Sequence, residues 1–162
     1  MSAMATVTAY IGIGSNLRDR APTLLRAIDL IDETEGISVR RVSQLIETDP
    51  LGPPGQGKYL NGAVEIETSL SPHELLAALQ AIESSLGRDR ANQQRWGPRT
   101  CDLDILLMGD IIMGDLDLTI PHPRMTERMF VLVPLAEIAP QVVHPGCGRT
   151  VAQLLADWER WV

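Results

Sequence analysis

From Tyr59 to Thr68 the chain alternates with a period of two: Leu60, Gly62, Val64 and Ile66 fall on one side, and Tyr59, Asn61, Ala63, Glu65 and Glu67 on the other. That period belongs to a β-strand, whose successive side chains leave opposite faces. Just beyond it the period changes. Ser71-Pro72-His73-Glu74 has the form of a capping box, with proline at the first helical position. Leu75, Leu76, Leu79, Ile82 and Leu86 then recur at helical spacing and leave Gln80 and Glu83, three apart, on another face. A chain that switches period in this way has to pack a helix onto a sheet.

The same signals extend along the 162 residues. Val7 to Ile13 reads as a strand ending at Gly12-Ile13-Gly14-Ser15-Asn16. A helix follows, with Pro22 in its first turn, Leu24, Leu25, Ile28 and Ile31 as its stripe and Gly36 as its stop. Ile37 to Thr48 returns to strand chemistry, and 49–57, rich in proline and glycine, is expected to be a long loop. A second, polar loop covers 87–98. Asp102 to Met108 is a strand of the buried type, and Asp110 to Leu118 reads as a hairpin turning near Gly114 and Asp115. Short helices are expected over Val133 to Ile138 and, behind a Thr150 cap, over Val151 to Trp158. Elements mixed in this order, without a repeat or a linker, predict one α+β domain over 1–162, a mostly antiparallel sheet covered by helices.

Composition excludes several classes. A formal net charge of −7 argues against binding along a nucleic-acid backbone, which needs a broad basic surface. No stretch approaches the roughly 20 apolar residues of a membrane span, and the N-terminus lacks the basic and apolar regions of a secretory signal, so a cytoplasmic protein is expected. Cys101 and Cys147 have no paired-ligand spacing.

The chemistry concentrates in Arg95-Trp96-Gly97-Pro98-Arg99-Thr100-Cys101-Asp102-Leu103-Asp104-Ile105-Leu106. On a strand Asp102 and Asp104 share a face about 7 Å apart. Two carboxylates heading an apolar run repel each other and resist desolvation unless a cation joins them. Magnesium suits such hard oxygen donors and completes its shell with water and phosphate. Arg88, Arg90, Arg95 and Arg99, crowded just upstream in an acidic chain, are the residue type that grips phosphate oxygens bidentately. Carboxylates for a metal beside arginines for phosphate describe a holder for a metal-polyphosphate. A pair of surface acids at a strand end would give the same spacing.

This segment resembles the signature of the 6-hydroxymethyl-7,8-dihydropterin pyrophosphokinase family, in which an Arg-Trp-Gly-Pro-Arg run precedes an Asp-Leu-Asp strand. The resemblance covers nearly the whole chain: Ala9 to Leu17, Pro50-Leu51-Gly52, Tyr59-Leu60-Asn61, Pro121-His122-Pro123 and Phe130 to Leu135 follow in the family's order. It implies a ferredoxin-like, three-layer α/β/α fold and a monomer that transfers pyrophosphate from ATP to a hydroxymethyl pterin in folate synthesis. It also implies two magnesium ions on Asp102 and Asp104, with Arg88 and Arg99 on the transferred group. Gln80, Glu83, Arg90, Ile105, Thr119, His122 and Arg128 match positions lining the ATP site. Tyr59 and Phe130 would flank the pterin ring, Asn61 would meet its polar edge, Thr48 and Leu51 would offer main-chain groups, and Trp96 would close over both ligands. Asp49 and Asp117 depart from the family pattern, which often has proline at the first position and in some members arginine near ATP at the second.

Other readings are weaker. Gly12-x-Gly14 has Leu17 where a dinucleotide fingerprint needs glycine, so the pair is expected to ease a bend or let a ligand approach the backbone. Lys58 is the only lysine and belongs to no P-loop. His73 is expected at a solvated surface, and Trp158 and Trp161 in C-terminal packing. A two-metal phosphodiesterase would use the same carboxylates and arginines, and a non-catalytic binding module would keep the same pocket.

Overall fold

The computed structural model describes residues 5–16, 19–48, 58–87 and 101–160. Strands β1 (Val7–Ser15), β2 (Ile37–Val42), β3 (Ile46–Thr48), β4 (Tyr59–Thr68) and β5 (Cys101–Met108) form one sheet. Its order is β2-β4-β1-β5, with β3 also on β4, and every pairing is antiparallel. A small hairpin pairs β6 (Met113–Gly114) with β7 (Thr119–Ile120). Its turn closes where the Asp115 N–H donates to the Leu118 carbonyl at 2.9 Å.

Helices cover both faces. On one side α1 (Arg20–Glu33) and α2 (Pro72–Gly87) bury Leu24, Ala27, Ile31, Leu75, Leu79 and Ile82 against Ile11, Ile13, Val64, Ile66, Leu103 and Ile105. On the other, α3 (Met129–Ile138) and α4 (Val151–Arg160) pack Leu135, Ile138 and Val151 against Tyr10, Ala63, Leu106 and Leu107. The chain is therefore the expected three-layer α+β fold, and β4 obeys its period of two. The expected capping box at Ser71 forms, and the expected Thr150 cap proves to be a second one. Ser71 Oγ accepts from the Glu74 N–H at 3.2 Å, Thr150 Oγ1 accepts from the Gln153 N–H at 3.1 Å, and the Glu74 and Gln153 side chains return the bond.

Three expectations need correction. Leu25 does not belong to the α1 stripe; Thr23 and Ala27 take up the buried arc, and Leu25 is 57% exposed. Residues 37–48 form two strands rather than one. Ser43 interrupts them: its hydroxyl accepts the Ala63 N–H at 2.8 Å, a side chain taking over a ladder bond. Of the two roles expected for Gly12 and Gly14, the bend is not seen, because β1 continues through them to Ser15, whereas open backbone for a ligand remains.

Among the described residues, no helix is long and apolar enough to cross a membrane.

Candidate active site

Register brings the site residues together. Gly14 of the central strand β1 lies opposite Asn61 on one side and Asp102 on the other, and Gly12 lies opposite Ala63 and Asp104. Residues opposite one another share a face. Asn61, Asp102 and Asp104 thus stand on the sheet face that α3 partly covers, and the glycines leave the strip between them without side chains. The result is a cavity of about 180 Å³, lined by Gly12, Gly14, Thr48, Tyr59, Asn61, Asp102, Asp104, Leu106, His122, Arg128, Phe130 and Val131, with backbone from Ile13 and Gly62.

A bulge in β5 shapes the far wall. Ile11 faces Ile105 while Tyr10 faces Leu107, so Leu106 is the extra residue. Ile105 and Met108 point to the α1/α2 core, whereas Leu106 and Leu107 both turn to the α3 side. The Leu106 carbonyl accepts the His122 N–H at 2.9 Å, which docks the Pro121-His122-Pro123 segment against the cavity. His122 Nδ1 accepts from the Arg124 N–H at 3.2 Å, leaving Nε2 to carry the proton of the neutral ring. Burial holds the His122 pKa below its usual value; Asp104 opposes that shift, while Arg128 and Arg124 add to it.

Charged groups of both signs border the cavity. Asp102 is half-buried and Asp104 exposed. On α2, Glu83 Oε2 accepts the Leu103 N–H at 2.7 Å. Burial raises the Glu83 pKa, this hydrogen bond lowers it, and Asp102 and then Asp104 raise it further. Three carboxylates thus gather at this strand edge. The Arg128 guanidinium, which like Asp104 acts on His122, has its carbon 5.6 Å from the centroid of the Phe130 ring, within reach of a cation–π contact. Cys101, beside Asp102, is no nucleophile: burial, then Asp102 and Glu83, push its thiol up to about 12.

Of the residues expected from sequence, Asp102, Asp104, His122, Arg128, Thr48, Tyr59, Asn61 and Phe130 line this cavity. Glu83 is not among the lining residues; it reaches the strand edge at Leu103, between Asp102 and Asp104. Gln80 is exposed on α2, and Thr119 is exposed on β7 opposite Gly114. The Ile105 side chain lies on the other face, in the core beneath α1 and α2. Arg88, Arg90, Trp96, Arg99 and Leu51 lie outside the described residues, as do 49–57 and 88–98. Asp117, the departure noted above, has His73 Nε2 3.5 Å from its Oδ1, and Asp115 Oδ2 is 3.1 Å from the same nitrogen. Sequence reading missed Leu106 and Val131, which look like plain core residues. A lining role for Leu106 depends on a bulge that no local pattern announces.

The model of a family described as 7,8-dihydro-6-hydroxymethylpterin-pyrophosphokinase matches residues 10–140. The 2-amino-4-hydroxy-6-hydroxymethyldihydropteridine pyrophosphokinase of Bacillus subtilis (strain 168) is 52% identical over 134 residues, which cover 83% of this chain and 79% of that protein. The protein of the same name from Haemophilus influenzae is 46% identical over 152 residues, 94% of this chain and 93% of that one. Wild-type HPPK-DHPS of Plasmodium falciparum, solved with pterin and p-hydroxybenzoate, superposes with a TM-score of 0.74 at 15% identity, a likeness of fold. That match takes in 98% of this chain but only 44% of the other.

Proposed function

The chain belongs to the 7,8-dihydro-6-hydroxymethylpterin-pyrophosphokinase family, and from that premise we propose how its cavity divides between the two substrates. The reaction is the transfer of pyrophosphate from ATP to the 6-hydroxymethyl group of 6-hydroxymethyl-7,8-dihydropterin, a step of folate biosynthesis. One observation carries the division: Asn61 and the Asp102/Asp104 pair stand on the same sheet face, separated only by Gly14 and Gly12. A flat ligand on Asn61 would reach directly toward whatever the carboxylates hold.

The pterin end is Thr48, Tyr59, Asn61 and Phe130. Tyr59 and Phe130 supply aromatic faces, and the Asn61 amide supplies a donor and an acceptor for the polar edge. The Leu51 main chain would complete that end, and Trp96 would close over both ligands. The ATP end is Asp102, Asp104, Glu83, His122 and Arg128, joined by Gln80, Arg90, Thr119 and the backbone of Ile105.

Asp102 and Asp104 fit magnesium: they are hard oxygen donors on one face, next to a third carboxylate whose proton affinity their charges already raise. They would hold two ions, which when bound neutralise phosphate charge. The residues of the chain do the rest. Asn61 and the aromatic pair fix the pterin so that its hydroxymethyl oxygen lies in line with the β-phosphorus. That oxygen bonds to phosphorus as the bond to the α-phosphate oxygen breaks, AMP leaves, and the hydroxyl proton passes to solvent. His122 Nε2–H, Arg128, Arg88 and Arg99 bind phosphate oxygens as charge shifts onto them. Positioning and electrostatics supply the acceleration, and no general base is required. A monomer in the cytoplasm, one domain over 1–162, meets these needs, since both substrates are small and soluble.

The test is to incubate the protein with magnesium, ATP and 6-hydroxymethyl-7,8-dihydropterin. AMP and the pterin diphosphate should appear in equal amounts. Release of inorganic phosphate or pyrophosphate at the same rate without pterin would instead indicate a phosphate-ester hydrolase.

A further inference from the structure

Asn61 is a buried amide whose two ends meet different surroundings. Its Nδ2 donates to Thr48 Oγ1 at 2.7 Å. Its Oδ1 overhangs Gly14, 2.8 Å from where a Cβ on that residue would sit. A threonine hydroxyl can donate or accept, so Thr48 alone would tolerate either amide orientation. Gly14 would not. The surface beneath Oδ1 is Cα–H, which can meet an oxygen in a weak C–H···O contact but offers nothing to an N–H donor.

We propose that Thr48 is a positioning residue that acts with Gly14 to fix which end of the Asn61 amide faces each way, and so selects the ligand edge by its order of donor and acceptor. This rests on the assignment of the Asn61 end to the pterin. With one N–H engaged by Thr48, the amide presents Oδ1 and its second N–H side by side, the complement of a lactam's N–H and C=O. A 2-amino-4-oxo heterocycle carries that lactam. Its 2,4-diamino counterpart has a bare ring nitrogen and an amino group at the same two places, which reverses the order. The fixed amide should therefore accept the first and reject the second, because a mismatched polar edge leaves buried groups unpaired.

The experiment compares dissociation constants of 6-hydroxymethylpterin and its 2,4-diamino analogue for wild type, Thr48→Val and Thr48→Ser. KM for ATP and the thermal midpoint are measured alongside. Val keeps the shape of threonine and removes the hydroxyl. Thr48→Val is expected to weaken the 4-oxo ligand about tenfold while the diamino ligand changes less than about threefold, the size of effect one hydrogen bond gives. KM for ATP should stay within about twofold, and Thr48→Ser should restore the discrimination. Equal weakening of both ligands, or no weakening of either, would overturn the role given to Thr48. Wild-type protein that binds neither ligand would overturn the pterin assignment itself.

Discussion

The Glu83 carboxylate and the Leu103 N–H are joined by a 2.7 Å hydrogen bond that runs from α2 to the sheet edge between Asp102 and Asp104. β5 is an edge strand, so the Leu103 N–H points away from β1 and needs a partner from elsewhere. A carboxylate meets that need but brings a third negative charge beside Asp102 and Asp104.

Two substitutions separate these effects. Glu83→Ala leaves the edge N–H unpaired and should lower stability by about 1–3 kcal/mol in urea unfolding. Glu83→Gln keeps an acceptor and removes the charge. Because folding raises the Glu83 pKa above 4.5, the folded state binds the extra proton, and stability falls as pH rises from there through the folded value. The Gln variant should lose that slope and equal or exceed wild type at neutral pH without metal. A Gln variant as unstable as the Ala variant would show that charge is what the bond needs.

The two glycines of β1 should respond differently to a methyl group. At Gly14 the new Cβ would stand 2.8 Å from Asn61 Oδ1, too close to be accommodated without moving the amide. Gly14→Ala should destabilise by about 1–3 kcal/mol and raise KM for the pterin more than KM for ATP. At Gly12 the nearest atom is Leu106 Cδ2 at 3.2 Å, the flexible end of a side chain. There the gain of about 0.5–1 kcal/mol from replacing a strand glycine offsets the crowding, so Gly12→Ala should unfold within about 1 kcal/mol of wild type. Equal urea midpoints for the two variants would contradict this reading of the cavity floor.

His144 gives a pH dependence far from the chemistry. Its Nδ1 accepts from the N–H groups of Gly146 and Cys147 at 3.1 and 3.3 Å, which only an unprotonated nitrogen can do. Burial depresses its pKa below 6.5, against a smaller opposing effect of a backbone hydrogen bond. A depressed base contributes stability that is complete above 6.5 and is lost as pH falls through the folded value. Amide exchange at Gly146 and Cys147, corrected for intrinsic rate, should therefore quicken as pH falls from 7.5 toward 5, each pH being the experimenter's choice on either side of about 6.5. His144→Gln should abolish that trend.

Much of this was legible in the sequence because it is local. The period of β4, the Ser71 capping box, the Thr150 cap and the same-face spacing of Asp102 and Asp104 are each set by residues a few positions apart, and each appears in the structure. What could not be read depends on partners distant in the chain. Ser43 breaks the strand over 37–48 because its hydroxyl meets Ala63, twenty residues away. Leu106 enters the cavity because β1 and β5 fall out of register there. Phe130, the chain's single phenylalanine, would pass from sequence for a core residue. Its place at the start of α3, before Leu132 and Leu135 turn into the core, puts it on the cavity wall instead.

The central claim is that Asp102 and Asp104 hold magnesium for a phosphate chain that is handed to a ligand on Asn61. It is tested most directly by a single-turnover assay of Asp102→Asn and Asp104→Asn with saturating ATP, magnesium and 6-hydroxymethyl-7,8-dihydropterin, with pterin affinity measured in parallel. The account predicts that AMP formation falls at least about a thousandfold in each variant, as expected when a group stabilising developing charge is lost, while pterin still binds within about threefold of wild type. AMP formation at the wild-type rate in both variants would contradict it.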